Sequence, residues 1–527
     1  MSELATGNRV GTARRNLGVW IVVAAFLVGL TIRLYGLAER DRQTDLWWDE
    51  LGLLHEALGG ARGPHEGPLN AWLLRAWIFV TRSTDASTLH LLPVIVGAFI
   101  PLALGRLARE IAGARAGWIA LTLGILSPVG VYFSRELRPY ALLSLMTALV
   151  LLLAIRSIEA PTRRRSAVEA MLCVAACLVH PAAVPVIGMG LWAQVAWLVL
   201  AWRRRDNIEW RAHVLRGSSV VAAVVVGTLW THRTISTVID GPYTKGLGQF
   251  FWATVPTLGS AFSPTQSAPP PGVHLTDVLS IVMLAFALFG TVHLSRTRAH
   301  VAVLLLGATL GVLGTLYFTL GSKGAWPWLR YASHLAVPFL ALAAAGADTL
   351  ARRFRTIGST IVSVALLPLT MVPGVWFWLS HAETSFPLRS GNGYMTRLVA
   401  LEKQLIEAGG GSRGWIFSRW RTAFSEEGDR AVLMYDRLKT LEQPVYFTDG
   451  EHVFLTTNRT SGLGVGSTRA PSLEPSDLPP GDYWLVRGAD KWGCASLGMK
   501  RAVGPEVRAG DRCTMPESAP LPSDSPQ

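Results

Sequence analysis

The stretch RPYALLSLMTALVLLLAI, residues 138–155, decides the class of this chain. After Arg138 it carries no charge, and ~20 such residues are what a helix needs to cross the hydrocarbon core of a bilayer. Outward from it, similar runs fall at 17–37, 88–105, 116–134, 167–180, 183–202, 215–232, 275–294, 299–320, 329–350 and 358–380. The expected fold is therefore a polytopic α-helical membrane protein with about eleven spans. Half of the 527 residues are hydrophobic and only 16% are charged, with a mean hydropathy of +0.33. Those values exclude a disordered chain, a small disulfide scaffold and an ordinary soluble domain.

The net charge of +13 is unevenly placed. From Pro387 onward 17 Lys and Arg balance 17 Asp and Glu, so the membrane half holds the whole excess. Such an excess could serve nucleic acid, but loops obeying the positive-inside rule explain it better, and no nucleic-acid partner is expected. With the N-terminus cytoplasmic, the cytoplasmic segments collect Arg106, Arg109, Arg156, Arg163, Arg203, Arg216, Arg298, Arg352 and their neighbours. The first loop and the C-terminal part then lie outside. The first run reads as an uncleaved signal anchor. The expected location is the inner (plasma) membrane, in contact with the lipid bilayer.

The expected domains are a membrane module over 1–384, an extracytoplasmic α/β domain over 385–515 and a Pro/Ser-rich tail over 516–527. In the second, 394–408 and 427–441 read as helices. Residues 414–420, 445–448, 453–457 and 483–486 read as strands. Cys494 and Cys513 are a candidate disulfide there. Cys173 and Cys177, four apart in an apolar run, read as small core residues.

The first outer loop, 38–87, holds eight of the 19 acids of the membrane half. Asp49 and Glu50 follow Trp47 and Trp48. A carboxylate beside two tryptophans near the headgroups suits a general base. The competing reading is an acidic pair favouring the start of a helix over 51–58. His65 and Glu66 are a candidate metal or acid/base pair, or else a solvated turn before Gly67-Pro68. Residues 69–80 form an amphipathic stretch suited to lying flat on the membrane.

Cations oppose the positive-inside trend at the outer ends of several spans. Arg135, Arg138 and Tyr140 lie in Ser134-Arg135-Glu136-Leu137-Arg138-Pro139-Tyr140; Lys323, Arg330 and Tyr331 lie between two late spans. Arg33 falls near the outer end of the first. Arginine grips phosphate through its fork of donors, and an intramembrane cation is a functional candidate. His180 and His334 read as structural histidines. Acids in the loop and cations at the span ends suit a substrate with an anionic headgroup and a greasy tail.

In their order these features resemble the GT-C membrane glycosyltransferases that use polyprenyl-phosphate sugars, such as the protein O-mannosyltransferases and the lipid A aminoarabinose transferase. The carriers are Ile32-Arg33-Leu34-Tyr35, Asp49-Glu50, His65-Glu66-Gly67-Pro68-Leu69, the 134–140 segment and Arg330-Tyr331. The resemblance implies an inverting glycosyltransferase of the cell envelope. Its donor is a polyprenyl-phosphate-linked sugar; its acceptor is a hydroxyl of a lipid, a glycan or a protein. Asp49 would be the base and the arginines would hold the donor phosphate. Glu50, His65 and Glu66 would support donor or acceptor. Some relatives carry a divalent metal near the phosphate; no organic cofactor is implied. Relatives often show Pro-Pro where this chain has Gly67-Pro68. No P-loop or dinucleotide fingerprint is present, consistent with a lipid-delivered donor. The alternatives are a lipid or glycan transporter (flippase), which would place polar groups at the midplane, a non-catalytic scaffold of an envelope polysaccharide assembly, and a lipid-linked-oligosaccharide polymerase or ligase.

Overall fold

The computed structural model of the chain describes residues 19–38, 48–58, 67–235, 275–319, 333–354, short pieces between 367 and 379, and seven strands between 420 and 502. It divides into two compact units, Met1–Asp41 with Pro64–Ala382, and Arg42–Gly63 with Glu383–Gln527.

The first unit is helical. It contains α1 (Val19–Leu34), α3 (Pro68–Thr81), α4 (Ala86–Ala112), α5 (Ala114–Ile125), α6 (Pro128–Phe133), α7 (Tyr140–Glu159), α8 (Arg163–Val179), α9 (Ala183–Arg204), α10 (Trp210–Ile235), α11 (Leu275–Thr297), α12 (Ala299–Thr319) and α13 (Ala336–Phe354). The helix α2 (Trp48–Ala57) belongs to the second unit. Among the described residues five helical stretches are long and apolar enough to cross a membrane: Ala86–Ala112, Tyr140–Glu159, Ala183–Arg204, Trp210–Leu229 and Ser333–Arg353. The chain is a multi-pass helical membrane protein. Large apolar side chains such as Leu27, Trp192, Val221 and Leu288 are left exposed on its outer helices. In a bilayer that surface meets lipid, which asks for no polar cover.

The core lies between α4, α5, α7, α11, α12 and α13. Alanine makes α13 slim enough to be enclosed: Ala341, Ala343, Ala344, Ala345 and Ala347 are all fully buried. Small side chains let helix backbones approach closely where the hydrophobic effect cannot drive association. Cys173 and Cys177 are buried free thiols in a second cluster between α7, α8, α9 and α10.

Apolar runs locate the helices well, with one instructive departure. The run over 116–134, expected as one span, is two helices broken at Leu126-Ser127. Pro128 has no N–H to donate and holds Ser127 in extended backbone (φ −67°, ψ 113°). Ser127 Oγ instead accepts the Gly130 N–H at 3.1 Å and caps α6. By contrast Pro93 and Pro101 sit inside α4 without ending it. The run expected over 358–380 falls mostly outside the described residues.

In the second unit, β1 (Trp420–Arg421) and β2 (Asp429–Arg430) pair antiparallel. A five-stranded sheet has the order β5-β4-β3-β6-β7. Its strands are β3 (Val445–Thr448), β4 (Val453–Leu455), β5 (Ser472–Leu473), β6 (Gly481–Arg487) and β7 (Ser496–Ala502). The β3–β6 pair is parallel and the others antiparallel. The strand β2 takes two residues of the helix expected over 427–441, and the rest of that stretch lies outside the described residues. The helix expected over 394–408 lies outside the described residues, as do Cys494 and Cys513.

Candidate functional site

The site is best built from α6 outward. This six-residue helix ends at Ser134, whose hydroxyl donates to Val131 O at 2.8 Å. The chain then turns through Arg135 to Pro139. Arg135 N–H donates to Tyr132 O at 3.0 Å and Arg138 N–H to Glu136 O at 2.7 Å. Pro139 is the N-cap of α7, and its carbonyl accepts from Leu143 N at 2.8 Å. The turn is short, braced at both ends and fully inside the protein. Ser134, Arg135, Glu136, Arg138 and Tyr140 are all buried.

Tyr140 anchors it. Its ring lies edge-on to Phe133 at 5.1 Å and is 6.3 Å from the His180 ring. The Arg138 guanidinium sits 5.6 Å from the Tyr140 ring centre and donates to its hydroxyl at 3.4 Å. His180 caps the end of α8, and its Nδ1 accepts from Ala182 N at 3.1 Å, the role expected of a structural histidine. His334 is fully buried in the short Ser333–Leu335 turn ahead of α13.

Arg33 reaches this region from α1. It is fully buried and walled by glycine. Nη1 donates to Gly29 O at 3.0 Å and Nη2 to Gly124 O at 3.4 Å. A Cβ built at Gly97 would stand 3.2 Å from Arg33 Nε and would overlap the Ser134 side chain. A Cβ at Gly130 would stand 3.5 Å from Nη2. Gly97 therefore gives Arg33 and the 134–140 turn their common seat. Among the described residues no carboxylate pairs with Arg33, and its buried Nε has no hydrogen-bond partner. Beside it, Gly124, Ser127, Gly130, Phe133, Ser144 and Ser333 line a small cavity. The Ser333 hydroxyl has no hydrogen-bond partner among the described residues.

The fold thus gathers Arg33, Arg135, Arg138 and Tyr140, read separately in the sequence. It adds the hydroxyls of Ser127, Ser144 and Ser333, which sequence reasoning missed. Only Ser127 carried a readable signal, the cap-and-proline pair Ser127-Pro128. Buried cations and one buried carboxylate, Glu136, thus share the region around Gly97, and the unsatisfied Arg33 Nε can donate to an anion.

The first-loop residues divide. Asp49 and Glu50 occupy the first turn of α2, as the helix-start reading expects. Glu50 shares a buried stripe with Leu53, Leu54 and Ala57. His65 and Glu66 lie outside the described residues, as do Lys323, Arg330 and Tyr331. Among the described residues no group of three His, Cys, Asp or Glu could hold a metal ion.

Gly67 explains the departure from Pro-Pro. Its N–H donates to Val179 O at 3.1 Å, and Asn70 Nδ2 donates to the same carbonyl at 3.1 Å. A Cβ at Gly67 would overlap Leu178 O and lie 2.8 Å from the Val179 carbonyl carbon. Neither a side chain nor a proline nitrogen is compatible with this contact. The start of α3 is thereby tied to the end of α8, next to His180.

No protein-family model matches the chain, and no curated protein sequence does. Comparison with solved structures finds similar chains. The Archaeoglobus fulgidus oligosaccharyltransferase in complex with Zn and sulfate is 12% identical, over 81% of this chain and 60% of that one, with a TM-score of 0.43. The chain thus spans 60% of the length of that relative. ArnT from Cupriavidus metallidurans bound to undecaprenyl phosphate is 15% identical over 74% and 79%, with a TM-score of 0.43. The arabinosyltransferase EmbB from Mycobacterium smegmatis is 12% identical over 74% and 41%, with a TM-score of 0.36.

Proposed function

We propose that this chain is an inverting glycosyltransferase that takes its sugar from a polyprenyl-phosphate donor. The acceptor is a hydroxyl, and the reaction takes place on the outer face of the plasma membrane. The observation that carries the reading is the meeting of Arg33 with the Arg135–Arg138 turn at a seat cut by Gly97. Burying the Arg33 guanidinium, which pairs with no carboxylate among the described residues, is unfavourable unless an anion repays it. A lipid phosphate supplies that anion while its tail stays in the bilayer.

In this reading the acceptor oxygen attacks the anomeric carbon. Asp49 takes the hydroxyl proton, and the bond from that carbon to the phosphate oxygen breaks. The phosphate leaves with the bonding electron pair, and the buried guanidinium groups stabilise the developing charge. Glu50, His65 and Glu66 support donor or acceptor, with Lys323, Arg330 and Tyr331 on the phosphate side. Metal dependence is open to His65 and Glu66. The reading carries about eleven spans, a cytoplasmic N-terminus and an extracytoplasmic α/β domain over 385–515 that contributes to acceptor choice. An oligosaccharyltransferase, an arabinosyltransferase and ArnT bound to undecaprenyl phosphate, the structural neighbours, are compatible with it.

The test is release of polyprenyl phosphate from a panel of polyprenyl-phosphate sugars by the purified chain in lipid. Wild type is expected to release it and Asp49→Asn, still folded, to lose release. Equal release by both would remove Asp49 as the base. Movement of lipid or glycan across vesicles with no donor cleavage would replace the transferase by the transporter.

A further inference from the structure

The cytoplasmic-type arginines do not all do the same thing, and the difference is structural. On one side of the bundle they are clamps. Arg156 holds Glu110, Arg298 holds Glu159, and Asp348 takes both Arg115 and Arg352. On the side of α8, α9 and α10 they face outward.

The register of that side follows from its contacts. Glu169 of α8 pairs with Arg216 of α10, and Gly227 of α10 abuts Cys177 of α8. Residue numbers rise together along the two helices, so they run parallel. Arg163, Arg164 and Arg165 at the start of α8 are therefore level with Trp210 and Arg211 at the start of α10. The end of α9, with Arg203, Arg204 and Arg205, joins the same corner through five residues. All seven arginines are exposed; the exposed acids nearby are Asp206, Glu209 and Glu159, the last already held by Arg298 and His300. Arg165 bonds the Ala160 carbonyl at 2.8 Å. The side chains of the other six make no ion pair or hydrogen bond among the described residues. Trp202 and Trp210 flank them, 70% and 53% exposed.

We propose that this corner is a binding surface for anionic phospholipid headgroups. Tryptophan settles at headgroup depth, and clustered cations beside it attract anionic lipid. Arginine adds a fork of donors that matches phosphate oxygens. The two tryptophans set the depth of this corner, which places its arginines level with the headgroup phosphates. The inference goes beyond the transferase reading and does not depend on it.

The experiment uses the full chain in mild detergent with phosphatidylglycerol or phosphatidylcholine of identical acyl chains. Retained lipid is counted by native mass spectrometry and the thermal midpoint is read in parallel. Wild type is expected to prefer phosphatidylglycerol by at least about fivefold, the effect of one well-placed cation at an anionic surface. The preference should shrink as salt rises from ~0.1 to ~0.5 M. Arg163→Gln, Arg164→Gln, Arg203→Gln, Arg204→Gln and Arg211→Gln together should abolish it and leave the midpoint in phosphatidylcholine unchanged. Equal retention of both lipids by wild type overturns the proposal. So does a preference that survives in the variant, or a midpoint shift reproduced by glycerol phosphate alone. If the variant fails to fold, the wild-type salt series decides, and a salt-independent preference overturns it.

Discussion

Arg216 and Glu169 close a two-pronged ion pair between α10 and α8, with both side chains removed from solvent. Arg216 also donates to Gln194 Oε1 of α9, and Gln194 Nε2 donates to His213 O at 2.7 Å. Trp197 stacks on the His213 ring at 4.6 Å. One guanidinium thus joins three helices.

Removing one partner of that pair strands a buried charge. Glu169→Leu or Arg216→Leu is expected to destabilise the chain by about 3–5 kcal/mol, whereas the double substitution should recover a large part of the loss. Thermal unfolding of the three variants in detergent measures both the single losses and their coupling. Additive losses would show that the pair does not act as one unit.

Gly67→Ala places a methyl group against the Leu178 and Val179 backbone. Backbone cannot yield as a side-chain tip can, so α3 must lift from the end of α8. We expect a lower thermal midpoint. Gly67→Pro should be worse, because it also deletes the N–H that donates to Val179 O.

Gly97→Ala tests the seat shared by Arg33 and Ser134. The added carbon displaces the turn that carries Arg135 and Arg138. On the transferase reading, donor cleavage should fall at least tenfold, about 1.4 kcal/mol in the barrier. The thermal midpoint should fall as well, since the nearest atom, Ser134 Cβ, is fixed to its backbone and moves only with the turn. Unchanged donor cleavage would separate this region from the reaction.

Ser127→Ala removes the side chain that caps α6. The expected loss is about 1 kcal/mol. Ser127→Asn or Ser127→Asp should retain most of the cap, a comparison readable in the same unfolding experiment.

The helices were legible because a bilayer span is written as uninterrupted apolar sequence, which needs no knowledge of neighbours. The break at Ser127-Pro128 was also written there, but the apolar residues on either side hid it. Arg216 shows the opposite limit. Counted by charge it belongs with the loop arginines, and only the fold reveals Glu169, 47 residues earlier, as its partner. Charge counting likewise could not separate the clamps Arg156, Arg298 and Arg352 from the outward Arg163 and Arg203. At the site, Arg135, Arg138 and Tyr140 could be grouped because they share one turn. That Arg33 joins them depends on Gly97, a residue with no side chain to mark its importance. Asp49 and Glu50 were legible as the start of a helix because an acidic pair complements that end.

The end of α4 fixes an order of assembly. Its last carbonyls are taken by arginines made much later: Glu110 O and Ile111 O accept from Arg298 at 2.6 and 3.2 Å, and Ala112 O from Arg352 at 2.6 Å. Some 188 residues separate Glu110 from Arg298, and 240 separate Ala112 from Arg352. During synthesis, α4 must wait in the bilayer with this end satisfied only by water at the surface. The bundle acquires its latch when the turn between α11 and α12 arrives, and its second bolt when α13 is complete. A nascent chain halted after α10 would hold α4 against α5 and α7 but lack both of these fastenings.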